Sequence, residues 1–164
     1  MREMTQIRDA VIKSLQDSGL QAVAAFPAER MKDYDAAVAA VDVGTVEGSV
    51  MGFCNYLGEV YDPERGTTQE LYGKQLEAEI LVDIRGKRAA LCQSGCEMAA
   101  DVLLGGLPSG IRCGGLAWEG LKWEKETGMF LRRGKLGCQA VFVAQSNEGT
   151  GTFLDFQLKG VMTT

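Results

Sequence analysis

The sequence predicts an α+β fold: a single mostly antiparallel, mixed β-sheet with two helices packed on one face, in the order α-β-β-(long loop)-β-α-β-β-β. Three observations carry this. Gln75 to Ile84 alternates, with Leu76, Ala78, Ile80, Val82 and Ile84 on one side and Gln75, Glu77, Glu79 and Asp83 on the other; only Leu81 breaks the pattern. Side chains alternate across a strand, so this is a half-buried strand with one wet face. After Gly86 the period becomes helical: Leu91, Gly95, Met98 and Val102 fall at i, i+4, i+7 and i+11, with Cys92, Cys96, Ala99 and Leu103 beside them. That is a wide apolar stripe, ended by Gly105-Gly106 and kept from resuming by Pro108. Third, the chain closes in a run of strand-like segments separated by turn sequences.

The remaining elements follow in order. Thr5 to Ser18 reads as a first helix, capped by Thr5, with Ile7, Val11, Leu15 and Ile12 as its apolar stripe and Gly19 as its end. Gln21 to Phe26 is a short strand candidate stopped by Pro27, and Ala28 to Asp35 a charged loop or turn. Ala36 to Val46 reads as a strand from its β-branched end, although its alanines also suit a helix. Glu47 to Gly73 holds five glycines, three tyrosines and Pro63 without a sustained period. It reads as a long excursion between two antiparallel strands, poorly ordered until its tyrosines meet a partner. Ile111 to Trp123 and Met129 to Gln145 form a hairpin about Glu124-Lys125-Glu126-Thr127-Gly128. A bulge near Glu119-Gly120 reconciles Trp118 with Trp123. Asn147 to Gly151 is another turn, and Thr152 to Val161 the last strand. The whole chain, 1–164, is one domain with a long loop at about 47–73.

Composition narrows the function. The net charge is −5 with no basic run, which argues against direct nucleic-acid binding. No apolar run approaches the ~20 residues that span a bilayer, and no signal peptide opens the chain, so an intracellular protein with no membrane partner is expected. Histidine is absent, which removes Ser-His-Asp and Cys-His chemistry and every His-ligated metal. No catalytic, cofactor-binding or metal residue is assigned. The five cysteines, Cys54, Cys92, Cys96, Cys113 and Cys138, include no C-x-x-C pair and read as reduced thiols. Cys92 and Cys96 suit a buried helix face, and Cys138 a strand core.

Several residues suit contact. Glu77 and Glu79 stand two apart on a polar strand face, either as a carboxylate pair sharing a site or as solvated or interface charges. Arg132, Arg133 and Lys135 form a basic patch that either meets such acids across a subunit interface or guards a strand edge. Trp118 and Trp123 are either an interaction surface or core. A ligand-binding or carboxylate enzyme site would instead gather Tyr56, Tyr61, Tyr72 and Trp118 with Glu77 or Glu79.

The element order, together with Glu70-Leu71-Tyr72-Gly73-Lys74-Gln75-Leu76-Glu77-Ala78-Glu79-Ile80-Leu81-Val82-Asp83-Ile84, resembles bacteriophage tail terminator (tail-completion or minor tail) proteins of phage and phage-like contractile particles. The Tyr72-Gly73-Lys74 lead into the alternating strand carries the likeness. The resemblance implies a virion structural protein from a phage or prophage, without catalytic residues or cofactors. It implies a homo-hexameric ring that caps the tail tube, ends its polymerisation and offers a joining surface for the neck or head. Its partners would be other copies of itself, the tail tube protein and a neck or head-completion protein. Its place would be the host cytoplasm during assembly and then the particle. The resemblance implies that the loop Glu47 to Gly73 projects towards the tube or lumen; the contact candidates read from the residues themselves are Tyr56, Tyr61, Tyr72, Glu77, Glu79, Arg132, Arg133 and Lys135. A neck or baseplate component is the neighbouring alternative.

Overall fold

The computed structural model describes residues 2–24, 34–50, 56–147 and 156–161. Helix α1 (Arg2–Asp17) is followed by strands β1 (Gln21–Val23), β2 (Val38–Val50), β3 (Tyr56–Asp62) and β4 (Thr67–Gly86). Then come α2 (Ala89–Gly105), β5 (Ile111–Trp118), β6 (Lys122–Glu124), β7 (Met129–Asn147) and β8 (Gln157–Leu158).

Two long strands form the spine. β4 and β7 pair antiparallel from Gln69↔Asn147 to Gly86↔Phe130. The free edge of β4 is tiled by β2 and then β3, and the free edge of β7 by β6, β5 and β8. β1 extends the sheet beyond β2 and makes the one parallel pairing among the described residues. The result is the expected mixed, mostly antiparallel α+β sheet.

The alternation in β4 is realised residue by residue. Leu76, Ala78, Ile80, Val82 and Ile84 are buried, while Gln75, Glu77, Glu79, Leu81, Asp83 and Arg85 are not. Antiparallel partners share a face, so Val43, Ile80 and Leu136 form one buried row, and Val41 and Val82 the next, closed on β7 by Gly134. Both helices cover this face. α1 contributes Ile7, Val11 and Leu15, and α2 contributes Cys92, Cys96, Ala99 and Leu103, to one core. Burying a side chain of this size contributes about 1.5–3 kcal/mol. Gly95 sets how closely α2 approaches: a Cβ there would lie 2.6 Å from Ala37 Cβ and 2.9 Å from Ile84 Cγ2. Gln6 ties α1 to the C-terminal strand, donating from Nε2 to Phe156 O at 2.8 Å and accepting from Leu158 N at 2.8 Å.

Several expectations are corrected. The stretch 47–73 is not a long loop over its described length. Glu47 to Val50 completes β2, Tyr56–Asp62 is β3, and Thr67 to Gly73 opens β4; residues 51–55, with Cys54, lie outside the described residues. Glycines and a single proline hid a hairpin whose strands alternate too weakly to register, because its outward positions are apolar as well. Thr5 does not cap α1, which already runs from Arg2. The first arm of the C-terminal hairpin breaks at Glu119 to Leu121, and the register shift lies earlier, between Cys113 and Leu116. That break turns both tryptophans to the helix-bearing face: Trp118 lies over Gly134, and Trp123 meets Phe130 edge-on at 5.0 Å. The turn at Lys125 to Gly128 is as expected, with Gly128 at φ 65. Phe26, most of the 28–35 loop, the 148–151 turn and the first residues of the 152–161 strand lie outside the described residues. Among the described residues no helix is long and apolar enough to cross a membrane.

Candidate contact face

With both helices on one side, the opposite face of the sheet carries no helix among the described residues, and its chemistry changes along β4. Near Gly86 it is closed by ion pairs. Arg85 Nε lies 2.9 Å from Glu124 Oε1, and the guanidinium holds the Glu124 carboxyl below its ordinary range. Arg133 grips Asp83 with two bonds, 2.7 and 2.9 Å, which raises the guanidinium's already high pKa. Lys135 reaches Glu119 at 3.4 Å. Val38, Met129 and Leu131 are buried at this end.

Midway the face becomes acidic and hollow. Glu47 of β2 stands directly opposite Glu77 of β4, and Gln139 of β7 and Arg112 of β5 complete that cross-strand row. Glu79 is next along. Among the described residues no cation lies within ion-pair distance of Glu47, Glu77 or Glu79; Glu77 accepts one hydrogen bond, from Gln139 Nε2 at 3.3 Å. Gly137 has nothing above it within 4 Å, and with Gly114 it floors an open depression of about 630 Å³ rimmed by these acids and Arg112. Like charges facing each other across a ladder cost stability, so the Glu47–Glu77 pair works against the fold that carries it.

Towards the tip of the β3–β4 hairpin the open face turns apolar. Leu57 lies over Gly73, and Val60, Leu71, Val141 and Val143 continue the strip, with Leu57 41% and Val60 40% exposed.

The sequence-derived contact residues thus divide between two faces. Glu77 and Glu79 do lie on the open face. Arg133 and Lys135 lie there too but are engaged within the chain by Asp83 and Glu119. Arg132 points to the helix side, donating to Glu119 O at 2.8 Å and to Gln93 Oε1 of α2 at 3.1 Å. The basic run is therefore not one patch, because neighbours on a strand take opposite faces. Tyr56 and Tyr72 meet edge-on at 5.7 Å, and Tyr72 donates to Glu70 Oε2 at 2.6 Å, which raises the phenol's pKa. Tyr61 is 64% exposed, opposite Thr68. All three tyrosines share the helix-side surface, so the structure does not bring Tyr56, Tyr61, Tyr72 and Trp118 together with Glu77 or Glu79.

Sequence reasoning missed Glu47, Arg112 and the apolar strip. Glu47 was hidden in the supposed loop, and the cross-strand row needs the register. Among the described residues no group of three acidic or thiol side chains is placed to hold a metal ion. No protein-family model matches the chain, and no curated protein matches it.

Proposed function

We propose that this protein is a structural component of a phage or phage-like particle, a tail terminator that caps the tail tube as a ring of six copies, ends tube growth and presents a joining surface to the neck. The role is non-catalytic and uses no cofactor. The protein acts in the host cytoplasm during assembly and then in the particle, with no direct nucleic-acid or membrane contact.

The observation that carries the reading is the two-sided sheet. One face is sealed by both helices, while the other is an open surface some twenty residues long on β4. Its middle keeps three acids, Glu47, Glu77 and Glu79, with no ion-pair partner among the described residues, and its tip keeps exposed apolar side chains. Like charges set opposite each other at Glu47 and Glu77, beside exposed Leu57 and Val60, suit contact with other protein chains. The resemblance of the Tyr72 to Ile84 segment supplies the particular assembly.

Sedimentation with purified tail tubes of the same particle, followed by electron microscopy of the tube ends, tests this. Saturable binding with six-fold density at one end is expected; failure to bind those tubes refutes it. A second reading, a small ligand-binding domain, draws on the 630 Å³ depression. It would be favoured by a ligand whose binding is lost in Glu79→Gln while tube capping is unchanged.

A further inference from the structure

Four cysteines among the described residues are free: Cys92, Cys96, Cys113 and Cys138. Two of them, on β5 and β7, are direct cross-strand partners, Cys113↔Cys138. The kind of pair follows from the ladder. Val141 N donates to Gly110 O at 2.8 Å while Val141 O accepts from Lys159 N at 2.9 Å, so the Val141 backbone faces the β5 side and the Gly110–Val141 position is a bonding one in the ladder. Hydrogen-bonded and non-hydrogen-bonded pairs alternate along an antiparallel ladder. Counting along the register, Ile111–Ala140 is non-bonded, Arg112–Gln139 bonded and Cys113–Cys138 non-bonded. In a non-bonded pair the Cα atoms approach to about 4.5 Å and the side chains come closest. A disulfide takes Cα separations of about 4.4–6.8 Å. Cys92 and Cys96, one helical turn apart, have Cβ atoms about 5–6 Å apart, beyond the roughly 3.8 Å typical of a disulfide.

We infer that Cys113 and Cys138 form a redox modification site: a dithiol that closes into a cross-strand disulfide on reaction with a small-molecule disulfide, and that reports its state to the end of α2. The Cys113 side chain is partly exposed, whereas Cys138 is buried, so Cys113 is the entry point. Its thiolate attacks one sulfur of glutathione disulfide, forming a mixed disulfide and expelling one glutathione thiolate. The Cys138 thiolate then attacks the Cys113 sulfur and expels the second glutathione. The protein loses two electrons and two thiol protons, and glutathione disulfide is reduced to two glutathione thiols.

The link to α2 is a hydrogen bond. The Cys113 thiol donates to Leu103 O at 2.8 Å. Leu103 lies in the last turn of α2, where carbonyls lack intrahelical partners. Oxidation removes that donor while fastening edge strand β5 to β7. Burial raises the Cys113 thiol and, together with the neighbouring Cys113, pushes Cys138 up to about 11, so closure is slow at neutral pH and accelerates with alkali.

The test is incubation of the native protein with glutathione disulfide at pH 7 and pH 8.5, then peptide mapping without reduction. A Cys113–Cys138 linked peptide is expected, faster at the higher pH, with Cys92 and Cys96 alkylated only after unfolding. Amide exchange at Leu104 to Leu107 should be faster in the oxidised form and recover with dithiothreitol. Cys113→Ser keeps an O–H donor for Leu103 O and removes the bridge, so it should show slow exchange under both conditions. A map with no Cys113–Cys138 peptide, or with Cys92–Cys96 as the main product, overturns the site. Unchanged exchange in the bridged protein overturns its coupling to α2.

Discussion

Ile80 and Glu79 are neighbours in sequence and opposites in environment, which makes them a sharp test of the sheet's two-sidedness. Ile80 is fully buried between Val43 and Leu136 and beneath the helices. Ile80→Ala removes roughly 2–3 kcal/mol of transfer free energy. The surrounding strands carry their own ladders and relax little, so a cavity cost adds to it and the total should reach about 3–4 kcal/mol. Ile80→Asp puts an unpaired charge in that place, and against a total stability of about 5–15 kcal/mol it should leave little folded protein. Glu79→Lys lies on the open face among Glu47 and Glu77, where the new cation meets opposite charge; it should change stability by no more than about 0.5 kcal/mol. Urea unfolding followed by tryptophan fluorescence measures all three, since Trp118 packs on the core. Ile80→Ala costing under about 1 kcal/mol, or Glu79→Lys costing as much as Ile80→Ala, would refute the reasoning.

Other consequences follow from named contacts. Glu77→Lys replaces a like-charge cross-strand pair with an opposite one facing Glu47 and should stabilise by about 0.5–1 kcal/mol in low salt; thermal melts should show the gain shrinking in 1 M salt, where the Debye length is about 3 Å. Arg85 and Lys74 hold Glu124 and Glu3 below their ordinary value of 4.5, so folding lowers both pKa values. Their stabilisation is complete above that range and is lost as pH falls through the lower folded values; acid titration of stability should therefore be less steep in Glu124→Gln. Gly95→Leu drives a side chain into Ala37 and Ile84 and should cost about 3 kcal/mol or more in urea melts. Replacing Tyr56 to Gly66 with a short Gly/Ser turn removes β3 but leaves the β4–β7 ladder; circular dichroism should show an intact fold, and tube-end binding should disappear. A shortened protein that still caps tubes would move the contact away from the hairpin.

The sequence alone determined the elements whose two faces differ strongly. Leu76 to Ile84 alternates because one side meets helices and the other water, and a period of two survives in any register. The apolar stripe of α2, the stripe of α1 at Ile7, Val11 and Leu15, and the burial of Cys92, Cys96 and Cys138 were legible for the same reason. The β3–β4 hairpin was not, because Leu57, Val60 and Leu71 lie on an open face and erase the contrast on which the pattern depends. Only the tertiary structure decided which residues share a site. Register set Glu47 opposite Glu77 and Cys113 opposite Cys138, partners separated by tens of residues along the chain. Pleating sent Arg132 to one face and Arg133 to the other, and Asp83 and Glu119 engaged the open-face cations of a run that reads in one dimension as a single basic patch. Strand periodicity is a local property of the chain; cross-strand adjacency is created only when distant strands meet.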